Sequence, residues 1–221
     1  MDVWLWIILA IVLIIVVLLA TLAILRNERR RKQIRAALEQ MGYVVTDVQM
    51  DLDLEPFAIS RLGDQGVIDW RGLRFQVDDA LVTVFDYMAT SWVGRGRDRR
   101  MTKADRQTVL LFESERLDLP AFSLRPETLG AKIRNALGQQ DIDFDQHPDF
   151  SSAYVLHGPD ESQIRALFTD EKLDFFAHTR GLCVEGLGQK LLCYRPKKVV
   201  SAKEFNDFLK EGLAVLYLLT K

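Results

Sequence analysis

The feature that most constrains this chain is an uninterrupted apolar segment near its amino terminus. From Val3 to Leu25, 23 consecutive residues carry no charge, and Thr21 is the only polar residue among them. At about 1.5 Å per residue, a helix of this length spans roughly 34 Å, which matches a hydrocarbon core of about 30 Å. A helix without a polar face is not a surface helix of a soluble domain. The segment therefore predicts a membrane-spanning anchor over residues 1–25.

A cleaved signal peptide is the competing interpretation of this segment. Signal peptides combine a basic first region, an apolar stretch of about 7–15 residues and a small-residue cleavage site. In this chain Asp2 replaces the basic region, the apolar stretch is longer, and no such site precedes Arg26. We therefore expect a retained anchor, with Trp4 and Trp6 at the headgroup level of its amino-terminal side.

A dense basic cluster follows the apolar segment and indicates its orientation. Six of the ten residues that follow are basic: Arg26, Arg29, Arg30, Arg31, Lys32 and Arg35. Because basic flanks stay on the cytoplasmic side, we expect a single-pass protein with its amino terminus outside and its C-terminal domain in the cytoplasm. The cluster is also a candidate anion or lipid site through Arg29, Arg30, Arg31 and Lys32. A pure topology signal would explain the same residues.

Charge balance limits the partners that the rest of the chain can have. The chain has 29 Lys and Arg against 31 Asp and Glu, a net charge of −2. From residue 36 onward, 23 basic residues face 29 acidic ones, so the part beyond the basic cluster is acidic. Nucleic acid is therefore not an expected partner. The expected partners are the lipid bilayer and a protein of unknown identity.

Beyond the anchor, the sequence predicts an α+β domain. A helical stalk is expected over 26–42, because Ile34, Leu38 and Met41 follow helical spacing and Gly42 is a stop signal. The remainder, 43–221, predicts a mainly antiparallel sheet with packed helices, and a division into two subdomains near 127–150 is left open. A capping box from Ser201 to Glu204 begins a long C-terminal helix.

The individual elements follow from alternation, turn residues and capping signals. Strands are predicted at 43–48, 67–70, 73–77, 81–89, 107–113 and 152–156, with a hairpin of 182–186 and 190–195. Shorter helices are predicted at 128–137, 161–168 and 171–178. The strand at 81–89 has apolar residues on both faces, which predicts a central position in the sheet.

An Arg-rich and Gly-rich tip connects the strands at 81–89 and 107–113. Guanidinium groups bind phosphate oxygens in a bidentate manner, so the tip is a candidate site for anionic lipid headgroups. Its basic residues are Arg95, Arg97, Arg99 and Arg100, between Trp92 and Met101. Solvated hairpin tips often have the same composition, which is the alternative interpretation. A tip directed at the bilayer would strengthen membrane attachment.

An acidic run between 141 and 149 is the strongest candidate for chemistry. In an extended conformation its alternate side chains share one face, and these are Asp141, Asp143, Asp145 and His147. Carboxylates attract hard cations and His147 suits a transition metal, so a metal-dependent enzyme at the membrane surface is an alternative function. The run does not fit a calcium loop, because Gln146 replaces the required Gly. The competing interpretation is an edge strand or loop with solvated carboxylates.

The remaining motifs indicate no catalytic chemistry and predict no cofactor. The three histidines lack metalloprotease spacing, and neither a nucleophile elbow nor a phosphate-binding loop is present in the sequence. Cys183 and Cys193 would face each other across a three-residue turn centred on Gly188, whereas a one-residue change of register would separate them. In the cytoplasm we expect both thiols to be reduced.

Several stretches of the domain resemble a known group of proteins. They are LPAFSLRPE at 119–127, DIDF at 141–144, HP at 147–148, FS at 150–151, YVLHG at 154–158 and IRALF at 164–168. Together they resemble an uncharacterised family of bacterial membrane-anchored proteins. The resemblance implies a bacterial inner membrane and brings no activity, cofactor or catalytic residue. The sequence thus favours a membrane-anchored, non-catalytic binding or assembly module.

Overall fold

The described part of the chain is an α+β structure built on one antiparallel sheet. A computed structural model describes residues 3–49, 54, 57, 65–68, 71–93, 100–127 and 141–220, with the backbone alone at 3, 5, 65–68, 89–93 and 100–104. Within these residues a long amino-terminal helix is followed by nine strands and four shorter helices. The predicted fold class, α+β, is confirmed.

Helix α1 (Val3–Gln40) is a single helix with two different environments. Between Trp4 and Leu25 its described large apolar side chains are 44% to 75% exposed. In its second half Ile34 and Leu38 are almost completely buried. By length and composition, α1 has one segment able to cross a membrane, a property that signal sequences near an amino terminus share. The helix ends before Gly42, whose φ of +91° is the left-handed conformation typical of a helix stop.

The sheet places its strands in an order different from that of the sequence. The strands are β1 (Thr46–Gln49), β2 (Gln65–Ile68), β3 (Arg71–Val77), β4 (Ala80–Val93), β5 (Arg100–Glu113), β6 (Leu119–Pro126), β7 (Tyr154–His157), β8 (Cys183–Gly188) and β9 (Lys190–Tyr194). Their order is β1-β3-β4-β5-β9-β8-β6-β7, and β2 pairs with the outer part of β4. Every pairing among these strands is antiparallel.

Helices pack on one face of this sheet and form the main core. They are the end of α1 together with α2 (Pro148–Ala153), α3 (Glu161–Leu167), α4 (Asp170–His178) and α5 (Phe205–Leu219). Helix α5 lies very close to β5 at Gly212. A Cβ added there would be only 2.7 Å from Leu110 Cδ1. The opposite face has a second apolar cluster around Phe85, Val109 and Tyr194, to which Leu54 and Phe57 contribute.

The hairpin of β8 and β9 settles the relationship of the two cysteines. Leu187 pairs with Lys190, so the connection is a two-residue turn rather than the three-residue turn considered above. Cys183 therefore pairs with Tyr194, and Cys193 with Val184. The one-residue change of register puts the two cysteines on opposite faces of the sheet, where each is a free, buried thiol.

Several elements differ from the predicted ones. The chain forms helix α2 at 148–153, where we expected a loop leading into a strand, because Pro148 suits the first turn of a helix. Strand β6 was not predicted, and β4 and β5 extend to Val93 and Arg100. The predicted helix at 128–137 lies outside the described residues. Strands β6 and β7 are adjacent in the one sheet, and the predicted domain boundaries stay predictions.

Candidate functional site

The basic cluster after the apolar half of α1 is divided by helical periodicity into two faces. Arg30 lies one and two turns before the buried Ile34 and Leu38, so it faces the sheet. Arg31 and Arg35 are also partly covered. The remaining basic side chains of the cluster are exposed: Arg26, Arg29 and Lys32. Half of the predicted cluster therefore serves an internal junction, which we call the helix–sheet junction.

Asp86 on β4 is the centre of the helix–sheet junction. Its side chain is 3% exposed, and a buried carboxylate is costly unless it is paired and hydrogen-bonded. Arg30 Nη2 donates to its Oδ2 at 2.6 Å, and Arg106 Nη2 lies 3.0 Å from the same oxygen. Thr108 donates to Oδ1 at 2.8 Å. Oδ2 thus has partners from α1 and β5, and Oδ1 has a partner from β5.

Arg30 also ties α1 to the segment that leads into α5. Its Nη1 donates to the carbonyl oxygen of Val200 at 2.7 Å and to Thr108 Oγ1 at 3.2 Å. The backbone N–H of Val200 donates to the same threonine oxygen at 3.0 Å. One guanidinium group therefore joins α1, the sheet and the chain before the C-terminal helix.

Three further ion pairs flank the Arg30–Asp86 pair along α1. Arg71 on β3 lies 2.7 Å from Glu28, toward the apolar half of the helix. Farther along the helix, Arg31 and Arg35 both donate to Asp47 on β1. The hydrogen bond from Arg35 lowers the pKa of Asp47. The junction thus attaches α1 to the sheet at three levels.

A second polar cluster lies inside the opposite face of the sheet. Arg125 and Glu185 are each 1% exposed, and Arg125 Nη2 donates to Glu185 Oε1 at 2.6 Å. Arg125 Nε donates to Ser123, and the Tyr194 hydroxyl donates to Glu185. Burial alone would lower the pKa of Arg125, but Tyr194 and Glu185 reverse this effect and raise it. Sequence reasoning missed this pair, whose only signal is a single charge inside each apolar strand.

The structure separates Asp141 from the other three residues of the predicted metal site. Asp141 lies by the buried His157, with 3.4 Å between Oδ1 and Nδ1. His147 lies instead between Asp170 and Asp174, at 3.0 and 3.6 Å, on the wall of an open groove. Asp143 and Asp145 line the same groove and are exposed. Among the described residues, no three His, Cys, Asp or Glu side chains are arranged to hold a metal ion. The metal hypothesis stays a prediction that this geometry does not favour.

The predicted anion site at the hairpin tip is described only at its margin. Arg95, Arg97 and Arg99 lie outside the described residues. Arg100 begins β5 and pairs in register with Val93 at the end of β4. Only the described ends of β4 and β5, at Val93 and Arg100, can be related to α1.

Comparisons with known proteins add no function to these observations. No protein-family model, no curated protein and no solved structure matches the chain. The geometry of α1 and of the helix–sheet junction is therefore the basis of the function proposed below.

Proposed function

We propose that the protein is a single-pass protein of the bacterial inner membrane whose cytoplasmic α+β domain is a binding or assembly module. The observation that carries this proposal is the continuity of α1. The same helix has an uncovered apolar half before residue 26 and a half that packs in the core through Ile34 and Leu38. The domain is thus attached to its anchor without a flexible linker.

The apolar half of α1 supports a membrane environment for physical reasons. Each Å² of apolar surface left in water costs about 25 cal/mol, and the side chains from Trp6 to Leu25 are not covered by the described parts of the chain. An α-helix satisfies its backbone hydrogen bonds internally, as a segment inside lipid must. Lipid tails would remove this apolar surface from water along its whole length.

The division of the basic cluster supports the proposed orientation. Arg30, Arg31 and Arg35 are neutralised by carboxylates of the domain. Arg26, Arg29 and Lys32 remain exposed at the end of the apolar segment, where they meet the anionic headgroups of the cytoplasmic leaflet. The domain lies on the same side of the apolar segment as these residues.

The helix–sheet junction supports a module that presents a fixed surface. Ion pairs at three levels hold α1 against β1, β3 and β4. They fix the distance and the orientation of the sheet relative to the apolar half of α1. Such an arrangement suits a protein that positions a protein partner near the membrane. A metal-dependent reaction is not part of the proposal, because the described carboxylates do not converge.

Orientation is tested with single cysteines in the full-length protein. Cys183 and Cys193 are completely buried, so a thiol reagent does not label them while the protein is folded. We expect Glu115→Cys, in the exposed turn after β5, to react with an impermeant maleimide only after spheroplasts are opened. Asp2→Cys should react in closed spheroplasts. The reverse pattern would overturn the orientation.

A partner is tested by mild crosslinking in cells followed by purification of the full chain. The matched control carries residues 1–42 on an unrelated soluble domain, so that it keeps the anchor and the basic cluster. We expect a reproducible crosslinked protein with the full chain that is absent from the control. An identical set of crosslinked proteins in both samples would contradict the binding-module proposal.

A further inference from the structure

We propose that the outer half of the β4–β5 hairpin lies against the headgroups of the bilayer that α1 crosses, as a second membrane contact of the domain. The inference rests on the proposed function, since it needs α1 to be inserted. The bound surface is an anionic lipid bilayer. The hairpin section concerned is the pair of strands beyond Asp86, up to Val93 on β4 and from Arg100 on β5.

Contacts of α1 show which end of the hairpin faces the anchor. Arg30, close to the apolar half, contacts Asp86. Tyr43, just after the helix ends, packs on Phe75 with ring centroids 5.2 Å apart, and Phe75 pairs with Val82. As α1 leads away from the anchor, its contacts therefore move from Asp86 back to Val82. Strand β4 runs in the opposite direction to α1, and its Val93 end lies on the anchor side.

The strands are long enough to reach the bilayer surface. Val93 is seven residues beyond Asp86, which is about 23 Å at ~3.3 Å per residue. Leu25 is five residues before Arg30, which is about 7.5 Å of helix. Strands inclined by about 70° to α1 would rise about 8 Å over this distance and bring Val93 to the level of Leu25, and a smaller inclination would bring it farther. Val93 therefore reaches at least the level at which the apolar segment ends.

Hydrogen bonding keeps the hairpin extended to this level. Strands β4 and β5 stay paired through Trp92 with Met101 and through Val93 with Arg100. Strand β2 adds a third strand alongside β4 as far as Thr90. A supported, paired ribbon holds its direction better than an isolated loop.

The charge of this section matches an anionic surface and differs from that of the rest of the domain. The described residues of this section, 88–93 and 100–106, include three basic residues, Arg100, Lys103 and Arg106, and one acidic residue, Asp105, whereas residues from 36 onward have 23 basic and 29 acidic. Each basic residue near an anionic leaflet contributes about 1 kcal/mol, and a Trp such as Trp92 favours the headgroup region. The basic excess is thus located at the end of the hairpin that faces the anchor.

The test measures how close the hairpin end is to lipid headgroups in the full-length protein. A fluorophore is attached at Val93→Cys or at the control position Glu115→Cys, which lies beyond the other end of β5. The protein is placed in nanodiscs containing phosphatidylglycerol and headgroup-spin-labelled lipid. We expect quenching at position 93 that is several-fold stronger than at position 115. Equal quenching at both positions would overturn the inference.

Charge reversal tests whether lipid charge holds the contact. Arg100→Glu with Lys103→Glu should reduce quenching at position 93 to the level at position 115. The control pair Lys203→Glu with Lys210→Glu makes the same change of charge at exposed positions elsewhere and should leave quenching unchanged. Equal loss in both pairs would contradict a specific basic contact.

Alkaline carbonate extraction separates failure of this inference from failure of the proposed function. A protein that stays in the membrane pellet without quenching at position 93 refutes the hairpin contact alone. A protein released into the supernatant refutes the membrane anchor, and with it the inference. Membrane retention together with charge-sensitive quenching at position 93 supports both.

Discussion

Asp86 and Arg30, which are 56 residues apart in the sequence, lie 2.6 Å apart and join the long helix to the middle of the sheet. Arg30 is 20% exposed and Asp86 is 3% exposed, so water screens this pair only partly. The pair combines two tasks. It neutralises a buried carboxylate, and it sets the direction of β4 relative to the apolar half of α1.

Replacing Asp86 by Asn removes the charge that Arg30 and Arg106 share. We expect the free energy of unfolding to fall by about 3 kcal/mol, the lower end of the range for breaking a buried ion pair. The control is Asp47→Asn, whose side chain is 60% exposed, with an expected loss below about 1 kcal/mol. Urea unfolding of the full chain in micelles measures both, and similar losses would mean that Asp86 is not the centre of the junction.

The Arg125–Glu185 pair should show strong coupling in a double-mutant cycle. Arg125→Met or Glu185→Leu alone leaves a buried charge unpaired and should cost about 3–5 kcal/mol. The double variant should cost less than either single one, since no charge remains unpaired. The same cycle at Arg165 and Glu161, an exposed pair on α3, should give a coupling of at most about 0.5 kcal/mol. Additive losses at 125 and 185 would contradict the direct pairing.

Gly212→Ala tests the close contact between α5 and β5. The added Cβ would lie 2.7 Å from Leu110 Cδ1 and 3.0 Å from Phe112 Cζ. Overpacking costs about 1–3 kcal/mol, and the better helix propensity of Ala returns up to about 1 kcal/mol, so we expect a net loss of about 1–2 kcal/mol. The exposed Lys210→Ala should change stability by less than about 0.5 kcal/mol. A more stable Gly212→Ala variant would be inconsistent with this packing.

Acid should weaken the start of α5 through Glu204. Hydrogen bonds from Lys198 and Ser201 lower the pKa of Glu204 from 4.5 to about 2. A lowered folded-state pKa stabilises the fold above pH 4.5, and this contribution is lost as the pH falls toward about 2. The Tm difference between the native protein and Glu204→Gln should therefore be constant above pH 4.5 and shrink below it.

The pH window should depend on Lys198, because its hydrogen bond is the largest cause of the shift. With Lys198→Met as the background, the loss of the Tm difference should be confined to a narrower range close to pH 4.5. A Tm difference that does not change between pH 6 and about 2 would rule out this account of Glu204.

Both native thiols should be unreactive in the folded protein. Burial raises the pKa of Cys183 to about 12, and it raises that of Cys193 well above its usual value. Because the thiolate is the reactive form, we expect modification only as the protein unfolds in urea. An oxidant should form no bond between them, since they lie on opposite faces of the sheet. Glu115→Cys is the reactive control, and rapid modification of two native thiols without urea would contradict the structure.

Local patterns in the sequence predicted the elements that have local causes. The length of the apolar segment and Gly42 predicted α1 and its end. The Asp160 side chain accepts from the N–H of Gln163 at 3.0 Å, as the capping signal there predicted. Ser201 donates to Glu204 Oε2 at 2.7 Å, but the C-terminal helix begins only at Phe205, so the predicted capping box does not cap its first turn. Hydrogen bonds of this kind connect residues within one turn, so residue spacing is enough to find them.

Features with non-local causes could not be found in this way. Helix α2 was not predicted because the alternating acidic residues before Pro148 suggested an extended chain. The position of His147 depends on its contact with Asp170 of α4, which is distant in the sequence. Strand β6 has a Pro near each end, and because Pro is depleted in strands no strand was predicted there. The pairs Arg30–Asp86 and Arg125–Glu185 join distant segments, and no periodic pattern encodes such a contact. Asp86, Arg125 and Glu185 were visible only as single charges in apolar strands, and Arg30 only as a member of the basic cluster.

The unbroken course of α1 has a mechanical consequence. If α1 is inserted in lipid as proposed, its ion pairs to the sheet make the sheet turn whenever the helix tilts. If the bilayer becomes thinner, a span of fixed length increases its tilt. The sheet would then rotate together with the helix, and the orientation of the face that it offers to a partner would change. Membrane thickness would thereby become a signal that this domain can transmit.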